Sequence, residues 1–232
     1  MAADLSPLWV SLRTATVATV LTVALGTALA WVRHRLRGVP AHLLDGALLL
    51  PLVLPPTAVG LLLLLPLGAR GWIGEALAHW HVSIVFTWTA TVIAATVMAL
   101  PLMYLSARSG FEQVEPDYAE AARTQGASGW EVLRHIVLPL AAPSLAAGTL
   151  LSLARTLGEF GATLMLAGNI PGKTETIPLA IYFAIEGGDD RTAILWALAS
   201  TALALAALGA ANLWPGLMGS APRNDRPPHS SF

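Results

Sequence analysis

Arg155 and Glu159 stand in an otherwise apolar run, four positions apart, so a helix would place both side chains on one face. Charges at membrane depth cost about 2.5–3.5 kcal/mol each on insertion scales and normally face a bundle interior or a cavity. Two roles follow from the spacing. The residues could be a buried ion pair that fixes how the helix packs. They could equally be a pore or gate element, in which Arg155 offers positive potential to an anion and Glu159 limits how tightly it is held. A third chemistry, Glu159 as the base of an intramembrane hydrolase, has no HExxH, GxSxG or cysteine–histidine arrangement behind it. His79 and His81 lack nearby carboxylate or cysteine support and read as interfacial side chains, so no metal site is expected. Residues 167–174, AGNIPGKT, loosely spell a phosphate-binding loop, but that motif needs a strand before it and a helix after it. Here an apolar helix precedes and Pro178 follows, and Pro171 and Gly172 are better read as a turn. Asp189 and Asp190 read as solvated acids.

The elements that must position these residues are membrane helices. Of 232 residues 55% are hydrophobic and only 12% charged, about half the charged share of a soluble domain. The absence of cysteine removes disulfides and thiolate chemistry. The first ten residues carry an acid and no basic segment, unlike a cleaved secretory signal. Apolar stretches predict about five spans, at 8–32, 43–67, 82–105, 142–167 and 193–214. The second contains Pro51, Pro55, Pro56 and Pro66, which remove backbone donors and turn that span toward protein or a watery path. Arg13, near the start of the first, can snorkel to the interface. Residues 177–185 would lie along the interface or re-enter as a short helix. The tail, 219–232, is polar and reads as disordered and cytoplasmic. Arg33, Arg35, Arg37, Arg108, Arg123, Arg134, Arg223 and Arg226 share one side, against Arg70, Lys173 and Arg191 on the other. That bias puts the N-terminus outside and the C-terminus in the cytoplasm.

Residues 117–139, DYAEAARTQGASGWEVLRHIVLP, interrupt the apolar pattern between the third and fourth spans. Pro116 suits a first helical position, the alanine-rich run favours helix, and Gly126 supplies a left-handed stop. Ser128 with Glu131 completes a capping box for a second helix. Too few basic residues follow for a DNA-reading helix, so nucleic acid is not an expected partner.

Glu120, Ala121, Ala122 and Gly126, followed by Ile136, Leu138 and Pro139, resemble the EAA loop of membrane subunits of bacterial ABC importers. The resemblance implies an all-helical type I importer permease, with residues 8–214 as its transmembrane domain and 106–141 as the coupling loop. Glu120, Ala121, Ala122, Arg123 and Gly126 would meet a separate ATP-binding cassette ATPase. Alanines let the backbone approach a partner while Glu120 and Arg123 hold the rim. Gln125 stands where relatives more often carry an apolar residue, which bears only on the detail of that contact.

A narrower resemblance covers residues 33–190. The second span, PLVLPPTAVGLLLL with GARGWIGE after it, the coupling-loop segment ARTQGAS, and ARTLGEFGA running on through Gly168, Asn169 and Pro171 to Pro178 are similar to molybdate permease subunits. Arg155, Glu159, Pro55 and Pro56 are then candidate pore or gate residues. No further apolar segment precedes Leu8, which matches the five-span branch. The resemblance implies a homodimer in the bacterial inner membrane, a periplasmic molybdate-binding protein as delivery partner, no cofactor, and no bond chemistry in this chain. Tungstate is a second possible cargo, and sulfate or another tetrahedral oxyanion the alternative.

Overall fold

Small side chains set the centre of the molecule, for which a computed structural model describes residues 5–212. Along α1 (Ser6–Arg35) and α5 (Trp88–Glu112), Ala18 packs with Val92 and Ala95, and Ala30 with Met103, Tyr104 and Ala107. A Cβ on Gly26 would sit 2.8 Å from Met103 Cγ, so only glycine permits this approach. Such contacts matter in a bilayer, where lipid tails are as apolar as leucine and helices associate by close packing and hydrogen bonds. Threonines supply the hydrogen bonds. Thr14 and Thr91 hydroxyls meet at 3.1 Å, Thr22 donates to the Thr96 carbonyl at 3.4 Å, and the Trp88 indole donates to Thr14 at 3.0 Å. Arg13 lies over the Trp88 ring, 3.8 Å from its centroid, joining α1 to the start of α5.

A third helix, α9 (Ala142–Leu157), joins this pair. Gly148 brings it against Ser106 of α5, and Thr19 meets Thr156 at 3.3 Å. Another face of α5, with Ala90, Ala94 and Met98, packs with Val59 of α3 (Pro56–Leu67) and with Ala162 and Leu166 of α10 (Gly161–Ala167).

The expectation of about five spans is corrected. Among the described residues two helices, α1 and α5, are long and apolar enough to cross a bilayer, or up to four if each of two bent pairs is one span. The expected second span is the first such pair. α2 (Val39–Val53) and α3 meet at 120°, because a residue before proline is driven from helical to extended backbone. Leu54 before Pro55 and Pro55 before Pro56 accordingly have ψ of 145° and 139°. The expected third span starts later, at Trp88, after an irregular stretch. In the expected fourth, α9 stops at Gly158 and α10 starts anew after Phe160. α4 (Trp72–Ala78) and α11 (Ile177–Glu186) are short, and α11 docks on the start of α1 through the Ile177 N–H to Ser11 Oγ at 2.8 Å. α12 (Asp190–Asn212) stands where the fifth span was expected; the tail at 219–232 lies outside the described residues.

Candidate functional site

Two sites are built from these elements, one at each kind of helix break. The first is the loop between α5 and α9. α6 (Pro116–Thr124) has Pro116 in its first turn and Asp117 beside its positive end. Its far end closes as a Schellman turn. Gly126, at φ +92°, donates to the Arg123 carbonyl at 3.0 Å, and the Ala127 N–H to the Ala122 carbonyl at 3.0 Å. α7 (Gly129–Val132) then starts with the anticipated capping box. Glu131 N–H donates to Ser128 Oγ at 3.3 Å, and Ser128 N–H to Glu131 Oε2 at 2.7 Å. Those contacts, led by the Ser128 backbone N–H, hold the Glu131 carboxyl below the usual carboxylate range.

The helix continues as a π-helical turn, Leu133–Val137, into α8 (Leu138–Leu140). Pro139 explains the widening, since an ordinary α-turn would drive its ring into the carbonyl four residues back. Glu120, Ala121, Arg123 and Gly126 are exposed, while Ala122 and Ala127 rest on a core of Phe111, Val132, Leu133 and Val137. Ala122, Gly126, Glu131, His135 and Ile136 line a shallow hollow of about 390 Å³ beside the elbow. The arrangement holds a short, exposed helix on a base shared with α1 and α5.

The second site lies where α9 breaks. Arg155 Nη2 is 2.7 Å from Glu159 Oε2, with the Glu159 side chain 2% exposed and that of Arg155 26%. The pairing inferred from spacing is present, and Glu159 does more than pair. Its Oε1 accepts the Ala162 N–H at 2.8 Å, capping the first turn of α10. Across from it, a Cβ on Gly161 would lie 2.9 Å from Pro56 Cβ and 3.2 Å from Thr57 N. Pro56 is thus brought beside the Arg155–Glu159 break. Pro55 and Pro56 are exposed, at the 120° bend between α2 and α3. The same crossing continues at Gly60, where a Cβ would be 2.7 Å from Met165 Cβ.

Other candidates resolve as structure. Thr174 of the AGNIPGKT segment is fully buried, donating to the Gly168 carbonyl at 3.1 Å and accepting from Ile170 N–H at 2.9 Å. Those two bonds tie Thr174 back to the start of the loop, and α10 rather than a strand precedes it. No group of three or more potential metal ligands occurs among the described residues. Asp189 is a helix cap rather than merely a solvated acid, accepting from Thr192 N–H at 3.1 Å and Thr192 Oγ1 at 2.6 Å.

Sequence reasoning passed over Asp45. Its carboxylate takes Arg33 Nε at 2.9 Å and Arg108 Nη1 at 3.1 Å and accepts from the Tyr104 hydroxyl. The available signal was an acid inside the apolar run LLDGALLL, with three arginines shortly before it.

The family model for the binding-protein-dependent transport system inner membrane component matches residues 12–213. YvgM of Bacillus subtilis (strain 168) is 49% identical over 195 residues, covering 82% of this chain and 85% of that protein. The molybdenum transport system permease protein ModB of Escherichia coli (strain K12) is 44% identical over 201 residues, covering 85% and 87%. Among solved structures, a bacterial ABC transporter involved in import of the acidic polysaccharide alginate superposes with a TM-score of 0.71 at 15% identity, covering 93% of this chain and 81% of that one.

Proposed function

The chain belongs to the family of inner-membrane components of binding-protein-dependent transport systems, and from that premise we propose that it is the permease subunit of a molybdate importer. It is a multi-pass protein of the bacterial inner membrane, working with an ATPase and a substrate-binding subunit and performing no bond chemistry itself. Tungstate, a tetrahedral dianion of nearly the same size, is a second cargo. The observation that carries the transport reading is the elbow at Gly126, a closed, outward-facing helix on a core shared with α1 and α5. The likeness to the E. coli molybdenum permease supports the cargo.

In this reading residues 8–214 form the transmembrane domain and 106–141 the loop on which the ATPase seats. Glu120, Ala121, Ala122, Arg123 and Gly126 make the docking surface. The loop faces the cytoplasm, with the N-terminus outside and the C-terminus in. In support, Arg35 reaches Gly129 of the loop, and Arg33 and Arg108 converge nearby on Asp45, gathering positive charge at that end. Two copies of the chain enclose one path, and a periplasmic molybdate-binding protein delivers the anion. Pro55, Pro56, Arg155 and Glu159 form the gate, where the guanidinium offers attraction and the carboxylate keeps it from becoming a trap.

ATP binding draws the ATPase pair together and swings both elbows, turning the path outward; hydrolysis returns it inward. Coupling requires that anion and nucleotide favour different states. Reconstitution with the ATPase and binding protein tests the proposal. Labelled molybdate should enter proteoliposomes only with ATP, with tungstate competing strongly and sulfate weakly. ATP-independent uptake, or sulfate displacing molybdate at equal concentration, would overturn it.

A further inference from the structure

α2 is attached to the rest of the chain in an unusual way. Ala41 is its only buried residue, whereas α5 buries residues along its whole length. Leu48 and Leu49 give it partial packing on the inner core. What fixes α2 is polar. Asp45 binds Arg33 at the end of α1, and Arg108 and Tyr104 on α5. Tyr104 is fully buried in the core that also carries Val132, Leu133 and Val137 of the elbow, with Ala122 and Ala127 packed on it. The ring therefore belongs to the loop's foundation, while its hydroxyl holds α2. Beyond Asp45, α2 runs to the 120° bend and α3, whose Gly60 crosses α10 next to the Arg155–Glu159 break.

We propose that Asp45 is the positioning residue that makes α2 move with the elbow, so that ATP-driven displacement of the loop reaches the bend at Pro55 and the gate beyond it. The inference rests on the transport reading above and adds to it the point where the motion is handed on. A carboxylate suits the task because it accepts from three side chains on two other helices at once, which an apolar contact of similar size does not. If α2 were held only by its apolar residues, it would have little reason to stay with α5, since lipid satisfies those residues equally well. Without Asp45, the α1–α5 body would answer the ATPase while the bent segment lagged behind it.

The experiment uses the full complex with its ATPase and binding protein in proteoliposomes, reading complex retention, ATP hydrolysis and labelled molybdate uptake together. Asp45→Asn should keep the ATPase bound and hydrolysis within about twofold of wild type, while uptake per ATP falls about tenfold or more. Tyr104→Phe, which removes one hydroxyl and keeps the buried ring, should lower the same ratio about threefold. It decides the matter if the Asp45→Asn chain does not assemble. Unchanged uptake per ATP, or uptake and hydrolysis falling by the same factor, would overturn the proposal. So would restored uptake in Asp45→Asn with Arg33→Gln, since Asp45 would then serve only to neutralise an arginine. A failure of the transport reading would look different: wild type itself would show no ATP-dependent uptake.

Discussion

At Gly126 a helix ends at an exposed turn; at Gly158 one ends just before the buried carboxylate of Glu159, and the chain closes the two ends by different chemistry. The exposed elbow uses backbone geometry: a left-handed glycine, a Schellman pair of hydrogen bonds and a serine cap. The buried break uses charge, since Glu159 accepts an orphan N–H of α10 with one oxygen and sets the other against the Arg155 guanidinium as an ion pair. Water can finish whatever the elbow leaves unbonded, but within a membrane bundle the protein must supply every partner. The elbow should thus be the more forgiving of the two, failing in its fit to a partner, whereas the break should fail in stability and transport together.

The largest effect should come from Glu159→Ala, which strands a partly buried guanidinium and uncaps α10. Loss of one member of a buried pair costs about 3–5 kcal/mol, and the partial exposure of Arg155 places this case near about 3. Adding Arg155→Ala should recover part of the loss but not all, because the cap stays missing. Thermal unfolding in detergent and molybdate uptake would both read this, and purely additive losses would mean that no direct pair exists.

Next, Gly60→Val would push a side chain into Met165 and the Ala162 backbone, overpacking the α3–α10 crossing by about 1–3 kcal/mol. Uptake should fall while the ATPase stays bound. If uptake were untouched, the bent segment would not belong to the path.

Gly126→Val tests the other region. No atom lies within 4 Å of the new Cβ, so the cost is backbone strain alone, about 1–3 kcal/mol for a side chain held at this φ. The chain should insert normally yet lose substrate-stimulated ATP hydrolysis in the reconstituted complex; normal stimulation would count against the elbow as the docking surface. Ser128→Ala should be the mildest, about 1 kcal/mol for a lost cap. The cap carries a pH signature. Because Glu131 is held below its ordinary pKa, the capping box contributes at neutral pH and is lost as pH falls through the lowered value. The gap in thermal stability between Glu131→Ala, which loses the titrating half of the box, and wild type should narrow well below about pH 4.3, the ordinary glutamate value. A gap independent of pH would show that the box does not form.

The elbow was legible from sequence because each of its devices is local: Pro116, Gly126, Ser128 and Glu131 act on neighbours within a few residues. The Arg155–Glu159 pair was legible for the same reason, a fixed helical spacing. What spacing hid was partnership across the fold. Nothing near Glu159 announces that α10 restarts two residues later and needs a cap, and nothing near Asp45 names Tyr104, 59 positions away. The span count failed because hydropathy reads a bent pair and a straight helix alike. Four prolines in the second span hinted otherwise, but did not tell that the chain breaks at 55 and 56 while running on through 51 and 66.

The threonine contacts of α1 fix more than its distance from its neighbours. Thr14, Thr19 and Thr22 reach partners on α5 and α9, and turning α1 by a single residue, about 100°, would break all three hydrogen bonds. The three helices are indexed to one another as a keyed shaft is to its hub, so they shift as a unit or not at all. On the transport reading, labels on α3 and α10 would report the movement, and a label pair spanning α1 and α5 would keep a fixed separation against which to measure it.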